Sequence, residues 1–107
     1  MKTETFKEYI NEKKLFEMAN VGNIGQLKIN VYTDHAPPHF HVIKKDCFDV
    51  RIKTDDLEII DYKFQKDGKE ISSSEMKKLK TWLQQKNKKR KTITNLWAID
   101  FAWDIMN

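Results

Sequence analysis

The chain has 107 residues, 39% of them apolar and 34% charged, with a formal net charge of +4 and a single cysteine. That is room for one domain with one modest core, and the composition is that of a folded chain rather than a disordered one. No apolar run nears the roughly 18–20 residues of a membrane span, and "MKTETFKEYINEKK" lacks the apolar core of a signal peptide. The expectation is a cytoplasmic protein with no membrane contact; a lone Cys47, which excludes an internal disulfide, agrees with a reducing compartment. Asp46 and Phe48 flank this thiol, so it reads as a small half-buried side chain rather than a nucleophile.

The elements follow in chain order. Phe6, Tyr9 and Ile10 fall on one stripe with Lys and Glu between them, which predicts a short amphipathic helix over Phe6 to Met18. "NVGNIGQ", Asn20 to Gln26, breaks it with two glycines. "LKINVY" then alternates strictly, with Leu27, Ile29 and Val31 against Lys28, Asn30 and Tyr32, the pattern of a strand buried on one face. "HFHVI", "CFDVRIK" and "DLEIIDYKF" read as further strands, and "KDG" at Lys66 to Gly68 as a hairpin-type turn. Short turns between such strands predict an antiparallel meander.

The period then changes to that of helices. Ser72 followed by Glu75 matches a capping box, and Met76, Leu79, Trp82 and Leu83 make a helical stripe behind it. After "KNKKRK", the segment Ile93 to Met106 carries Leu96, Trp97, Ile99, Trp103 and Met106 for a second helix. A sheet with one apolar face must be covered, and these helices hold the large side chains to do it, so all three tryptophans are expected in or near the core. The fold class is α+β: an antiparallel sheet of three to four strands covered by two C-terminal helices. The domain is single over 1–107, with 1–24 an N-terminal helical extension and 25–107 the core.

All three histidines lie in "DHAPPHFHV", Asp34 to Val42. On a strand, His39 and His41 share a face, about 7 Å apart at Cα, while Phe40 turns into the core. His35 lies across Pro37 and Pro38, which restrict the backbone between them. The three imidazoles are thereby expected to converge on one water-accessible patch. Histidine nitrogens in that arrangement suit a divalent transition metal, with His35, His39 and His41 as ligands and Asp34 as an oxygen ligand or ring orienter. The same two strand histidines, His39 and His41, are also candidates for acid–base catalysis. A His-triad nucleotide hydrolase would need a further alternating histidine where Ile43 stands, which excludes that motif. The plainest alternative keeps the histidines structural, in a protein–protein interaction domain.

Charge is placed unevenly. Residues 61–107 carry 11 basic and 6 acidic side chains, and between Met76 and Ile99 there are eight Lys or Arg and no acid. Lys86, Lys88, Lys89, Arg90 and Lys91 are the candidates for holding a nucleic acid or a small acidic partner protein; the alternative is a solvated connection between helices.

At "YTDHAPPHFHV" the chain resembles a family of small bacterial domains, domain of unknown function 4160, whose signature joins an Asp-His pair to Pro-Pro-His-Phe-His. Here it is carried by Asp34, His35, Pro37, Pro38, His39, Phe40 and His41. The resemblance extends over roughly Gly25 to Trp103; the N-terminal stretch and the aromatic tail depart from the family's usual layout. It implies no established activity. It does imply a module encoded beside another small protein, an arrangement similar to toxin–antitoxin pairs, in which a basic chain would meet nucleic acid or an acidic partner.

Overall fold

A computed structural model describes residues 18–65 and 69–107. Five strands form one antiparallel sheet in chain order: β1 (Met18–Ile24), β2 (Leu27–Tyr32), β3 (His39–Lys44), β4 (Phe48–Lys53) and β5 (Ile59–Gln65). Two helices follow, α1 (Ser73–Leu83) and α2 (Asn95–Met106). The α+β class, the meander and the helix pair are as the sequence predicts. The strand count is not: among the described residues there are five rather than three to four.

The additional strand is β1, which the sequence analysis placed in a helical extension over 1–24. The register shifts between Asn20 and Gly22, so the segment does not alternate cleanly and its strand period is hidden. Gly25, at φ +56°, then supplies the two-residue turn that returns the chain from Ile24 to its partner Leu27. The helix expected over Phe6 to Met18 lies outside the described residues, except for Met18, which opens β1. The turn expected at Lys66 to Gly68 lies outside them too.

Period-two patterning sorts the sheet into two unlike faces. Ile29, Val42 and Val50 stand side by side across β2, β3 and β4, and Phe40 beside Ile52; all five are fully buried. Leu79 and Leu83 of α1 and Ile99 and Trp103 of α2 close over them. Each such side chain contributes roughly 1.5–3 kcal/mol by leaving water. The other face carries Asn30 beside His41, His41 beside Arg51, and Arg51 beside Asp61.

Polar contacts fix where the helices begin. The Ser72 hydroxyl accepts from the Glu75 N–H at 3.0 Å and the Glu75 carboxylate accepts from the Ser72 N–H at 2.9 Å, so the capping box forms as read. At α2 the Thr94 hydroxyl accepts from the Trp97 N–H. Buried Asn95 joins the two helices: its Nδ2 donates to the Trp82 carbonyl at 2.7 Å while its Oδ1 accepts from Asn87 at 2.9 Å.

The three tryptophans part company. Trp103 is buried, and Trp82 is half-buried against Gly22, whose missing side chain makes room for the ring. Trp97 is 66% exposed, contrary to expectation. The inward stripe of α2 runs through Leu96, Ile99, Trp103 and Met106, and helical spacing puts Trp97, Phe101 and Ile105 on the outward row. Among the described residues no helix is long and apolar enough to cross a membrane.

Candidate metal centre

His39 and His41 sit two residues apart on β3, so both rings stand on the polar face, with centroids 5.4 Å apart. They are not on an open surface, as the sequence analysis expected: each is 1% exposed. The Tyr32 ring packs edge-on to His41 at 4.5 Å, and Trp103 lies 5.0 Å from His39. The connection between β2 and β3, which contains a cis Ala36–Pro37 bond, folds back over the pair and delivers Asp34. The residue after α2 holds that connection: the Asp34 N–H donates to Asn107 Oδ1 at 2.8 Å, and Asn107 Nδ2 donates to the Tyr32 carbonyl at 3.2 Å.

One ligand atom from each of Asp34, His39 and His41 lies within 4.8 Å of the other two. The tautomers follow from the partners. His39 Nδ1 faces the Pro37 carbonyl at 2.8 Å, and a carbonyl only accepts, so Nδ1 carries the proton and Nε2 is turned to Asp34 Oδ2 at 3.1 Å. His41 Nδ1 faces the Asp49 carboxylate at 2.8 Å, which again places the proton on Nδ1 and the lone pair on Nε2. That Nε2 is buried and has no hydrogen-bond partner among the described residues. A buried acceptor left unpaired costs roughly 1–3 kcal/mol, so its position calls for a physical account.

Electrostatics sharpen the requirement. Burial pushes the Asp34 carboxyl up, but the His35 backbone N–H, the His39 ring and nearby Arg51 outweigh it and hold the group below the ordinary aspartate value. An ionised Asp34 Oδ2 and an imidazole lone pair at 3.1 Å repel unless a positive species, a proton or a metal cation, lies between them. Arg51 is turned mainly to Asp61, its Nε donating to Oδ1 at 2.7 Å, and reaches Asp34 Oδ2 only at 3.5 Å. Bonding to Asp61 raises the guanidinium pKa further, and the same pair holds Asp61 below its usual range. With neutral rings, the three carboxylates of Asp34, Asp49 and Asp61 exceed the one guanidinium by two negative charges, which a dication would offset.

The geometry therefore brings together three of the four metal candidates. His35 is not among them: it is exposed, and its contribution is a backbone N–H donated to Asp34 Oδ1 at 2.8 Å. Proline bracing limits where the His35 ring can go without turning it toward the strand. Asp49, Arg51, Asp61 and Tyr32 were missed in sequence. Each looks like an ordinary outward position of an alternating strand, and only the register Arg51↔His41 and Arg51↔Asp61 reveals the cluster. The basic candidates Lys86, Lys88, Lys89, Arg90 and Lys91 are exposed on the α1–α2 connection; Lys86 bridges to Thr94 at the start of α2 and Arg90 reaches Phe101 in its middle, whereas His39 meets Trp103.

A family model described as Domain of unknown function (DUF4160) matches residues 27–92, well over half of the chain. The chain belongs to that family. The matched segment holds Asp34, His39, His41, Asp49, Arg51 and Asp61, and it stops short of α2, so Trp103 and Asn107 lie beyond it. The extent is narrower at the C-terminal side than the Gly25 to Trp103 suggested by the motif. No curated protein and no solved structure matches the chain.

Proposed function

We propose that this DUF4160 protein binds a divalent transition metal through Asp34 Oδ2, His39 Nε2 and His41 Nε2. The observation that carries the reading is the unpartnered, buried Nε2 of His41, on a ring whose opposite nitrogen is fixed by Asp49. Histidines that ligate metals usually donate their other ring N–H to a carboxylate or backbone carbonyl. His41 has the first kind of partner and His39 the second. The donor set is two imidazoles and one carboxylate with no thiolate, which favours Zn, Fe(II), Co or Ni over metals that prefer sulfur or all-oxygen sites. Three protein ligands leave a position for water or an exogenous ligand, as in hydrolytic centres and unlike closed structural ones. Metal-dependent hydrolysis is the reaction class that this arrangement suits.

The test uses untagged full-length chain, loaded with Zn(II) or Co(II) and analysed for bound metal. One ion per chain is expected, with a Co(II) visible spectrum of nitrogen and oxygen ligation. His41→Gln and His39→Gln should each lose the ion while keeping the far-ultraviolet circular dichroism of the parent. A wild-type chain that takes up none of Zn, Co, Ni or Fe(II) at micromolar concentration sinks the reading. So does a folded His41→Gln variant that binds as tightly as the parent.

A further inference from the structure

The α1–α2 connection is a built surface rather than a loose charged run. Its base is closed by the Lys86↔Thr94 bridge, by Asn87 N–H donating to the Ile93 carbonyl at 2.8 Å and by Asn95 N–H donating to the Gln85 carbonyl at 2.8 Å. Within it, Asn87 Oδ1 accepts from the N–H groups of both Lys89 and Arg90, at 3.0 and 2.9 Å. Asn87 itself is buried and anchored to Asn95. The cationic side chains therefore leave a backbone that is already ordered, which lowers the entropy lost when they engage a partner.

The connection itself carries one sign of charge. Lys77, Lys78 and Lys80 on α1 precede Lys86, Lys88, Lys89, Arg90 and Lys91 in sequence, all exposed, with no acidic residue between Met76 and Ile99; Asp100 and Asp104 follow on α2. Beside them stands the outward row of α2, with Trp97 the most exposed ring at 66% and Phe101 next along it. The Arg90 guanidinium lies 4.4 Å from the Phe101 ring centroid, which ties the loop to this row and leaves the Trp97 indole open.

We infer that this surface binds single-stranded nucleic acid, with the lysines along the phosphates and Trp97 as a stacking platform for a base. Seven of the eight cations are lysine. Protein interfaces are depleted in lysine, whereas phosphate backbones recruit it. Single strands are favoured over duplexes because an open indole needs an unstacked base, and a duplex base already stacks on its neighbours. The inference does not rest on the metal centre, whose proposed ligands Asp34, His39 and His41 are not among these residues.

The experiment is fluorescence anisotropy of the full chain with labelled oligo-uridine and oligo-deoxyuridine of about 12 nucleotides, beside a duplex of the same length. Binding to the single strands should weaken steeply between about 50 and 200 mM salt, and combined Lys88→Gln, Lys89→Gln and Arg90→Gln should make the slope of log K against log salt shallower by about 2. Trp97→Ala should weaken binding about tenfold with the slope unchanged, and Trp97→Phe should recover most of it. Equal affinity for the two strands means recognition without the 2′-hydroxyl; tighter uridine binding means that the hydroxyl is read. Both outcomes support the inference. It is overturned if neither strand binds at about 50 mM salt, if the duplex binds as tightly as the strands, or if Trp97→Ala leaves affinity unaltered. Sedimentation showing that the Trp97 row is buried in a dimer, dissociated by Trp97→Ala, overturns it in favour of a protein interface.

Discussion

The arrangement around His41 makes a sharp demand on a residue that would touch no metal. Asp49→Asn keeps an oxygen that can accept from His41 Nδ1, now at 2.8 Å from a carboxylate, but removes the charge that raises the ring's basicity at Nε2. Replacing such a partner typically lowers metal affinity about 10–100-fold. If the parent is melted with free Zn(II) at about 100 times its Kd, binding adds about 2.7 kcal/mol of stability. The same Zn(II) is then only about 1–10 times the variant's Kd, and the added stability falls to about 0.4–1.4 kcal/mol. For a chain of this size each kcal/mol moves the midpoint by about 4 °C, so the parent should gain about 11 °C from metal and the variant about 2–6 °C. Each protein is measured against its own metal-free melt, so any direct effect of the substitution on folding drops out. A variant whose metal-induced gain equals the parent's would refute the claim that Asp49 acts through His41, even if both proteins bind zinc.

Three further outcomes bear on how the site and its scaffold are held. Glu75 bridges the capping box to Lys44 at 2.9 Å; burial pushes its carboxyl up, but the Ser72 N–H, Lys44 and the Ser72 hydroxyl together hold it below the ordinary glutamate value of 4.5. Its ionised form therefore contributes stability that is present above that value and lost as pH falls through the lower folded one, and Glu75→Gln should cost about 1 kcal/mol near neutrality and flatten the acid limb of urea-unfolding curves. Gly22→Ala puts a Cβ 2.5 Å from Trp82 Cζ2, so the ring must move; a loss of about 1–3 kcal/mol with a shifted tryptophan emission is expected, and unchanged stability would contradict the packing. Asn107→Ala removes the acceptor of the Asp34 N–H and the donor to the Tyr32 carbonyl, so Zn(II) affinity measured by competition with a chelator should fall although Asn107 contributes no donor atom to the cluster.

How much of this was legible in sequence depends on whether the signal was local. β2 could be read to the residue because Leu27, Ile29 and Val31 alternate without interruption. β1 could not, because its bulge at Asn20 to Gly22 breaks the period that strand recognition relies on. The Ser72–Glu75 cap was visible since both partners lie within one turn. The outward position of Trp97 was not, because an aromatic-rich helix satisfies an inward stripe with several residues and hydrophobicity alone does not choose among them. The His39–His41 pair was fixed by alternation, while the exclusion of His35 depended on how the cis-containing connection folds, which spacing does not encode.

The donor set divides along the same line. Two of the proposed ligands belong to β3, whose register against β4 places Arg51 beside His41 and so fixes the imidazoles with the rigidity of the sheet. The third proposed ligand comes from a connection held to the sheet at Pro37 and Pro38 and to the C-terminal helix through Asn107 on the Asp34 backbone and the Thr33 hydroxyl on the Met106 carbonyl. Trp103 of the same helix also meets the His39 ring. Closing the centre therefore requires the C-terminal helix to be docked on the sheet, and a cation bound there must stabilise that docking in return, since anything that binds only the assembled state favours it. The family-defining segment supplies all three proposed ligands, whereas the residues that aim one of them lie outside it. In this chain, then, α2 completes what the histidine strand begins. Metal-dependent protection of α2 amides from hydrogen exchange is the physical consequence, and α2 protection that ignores metal would mean that Asp34 is held without it.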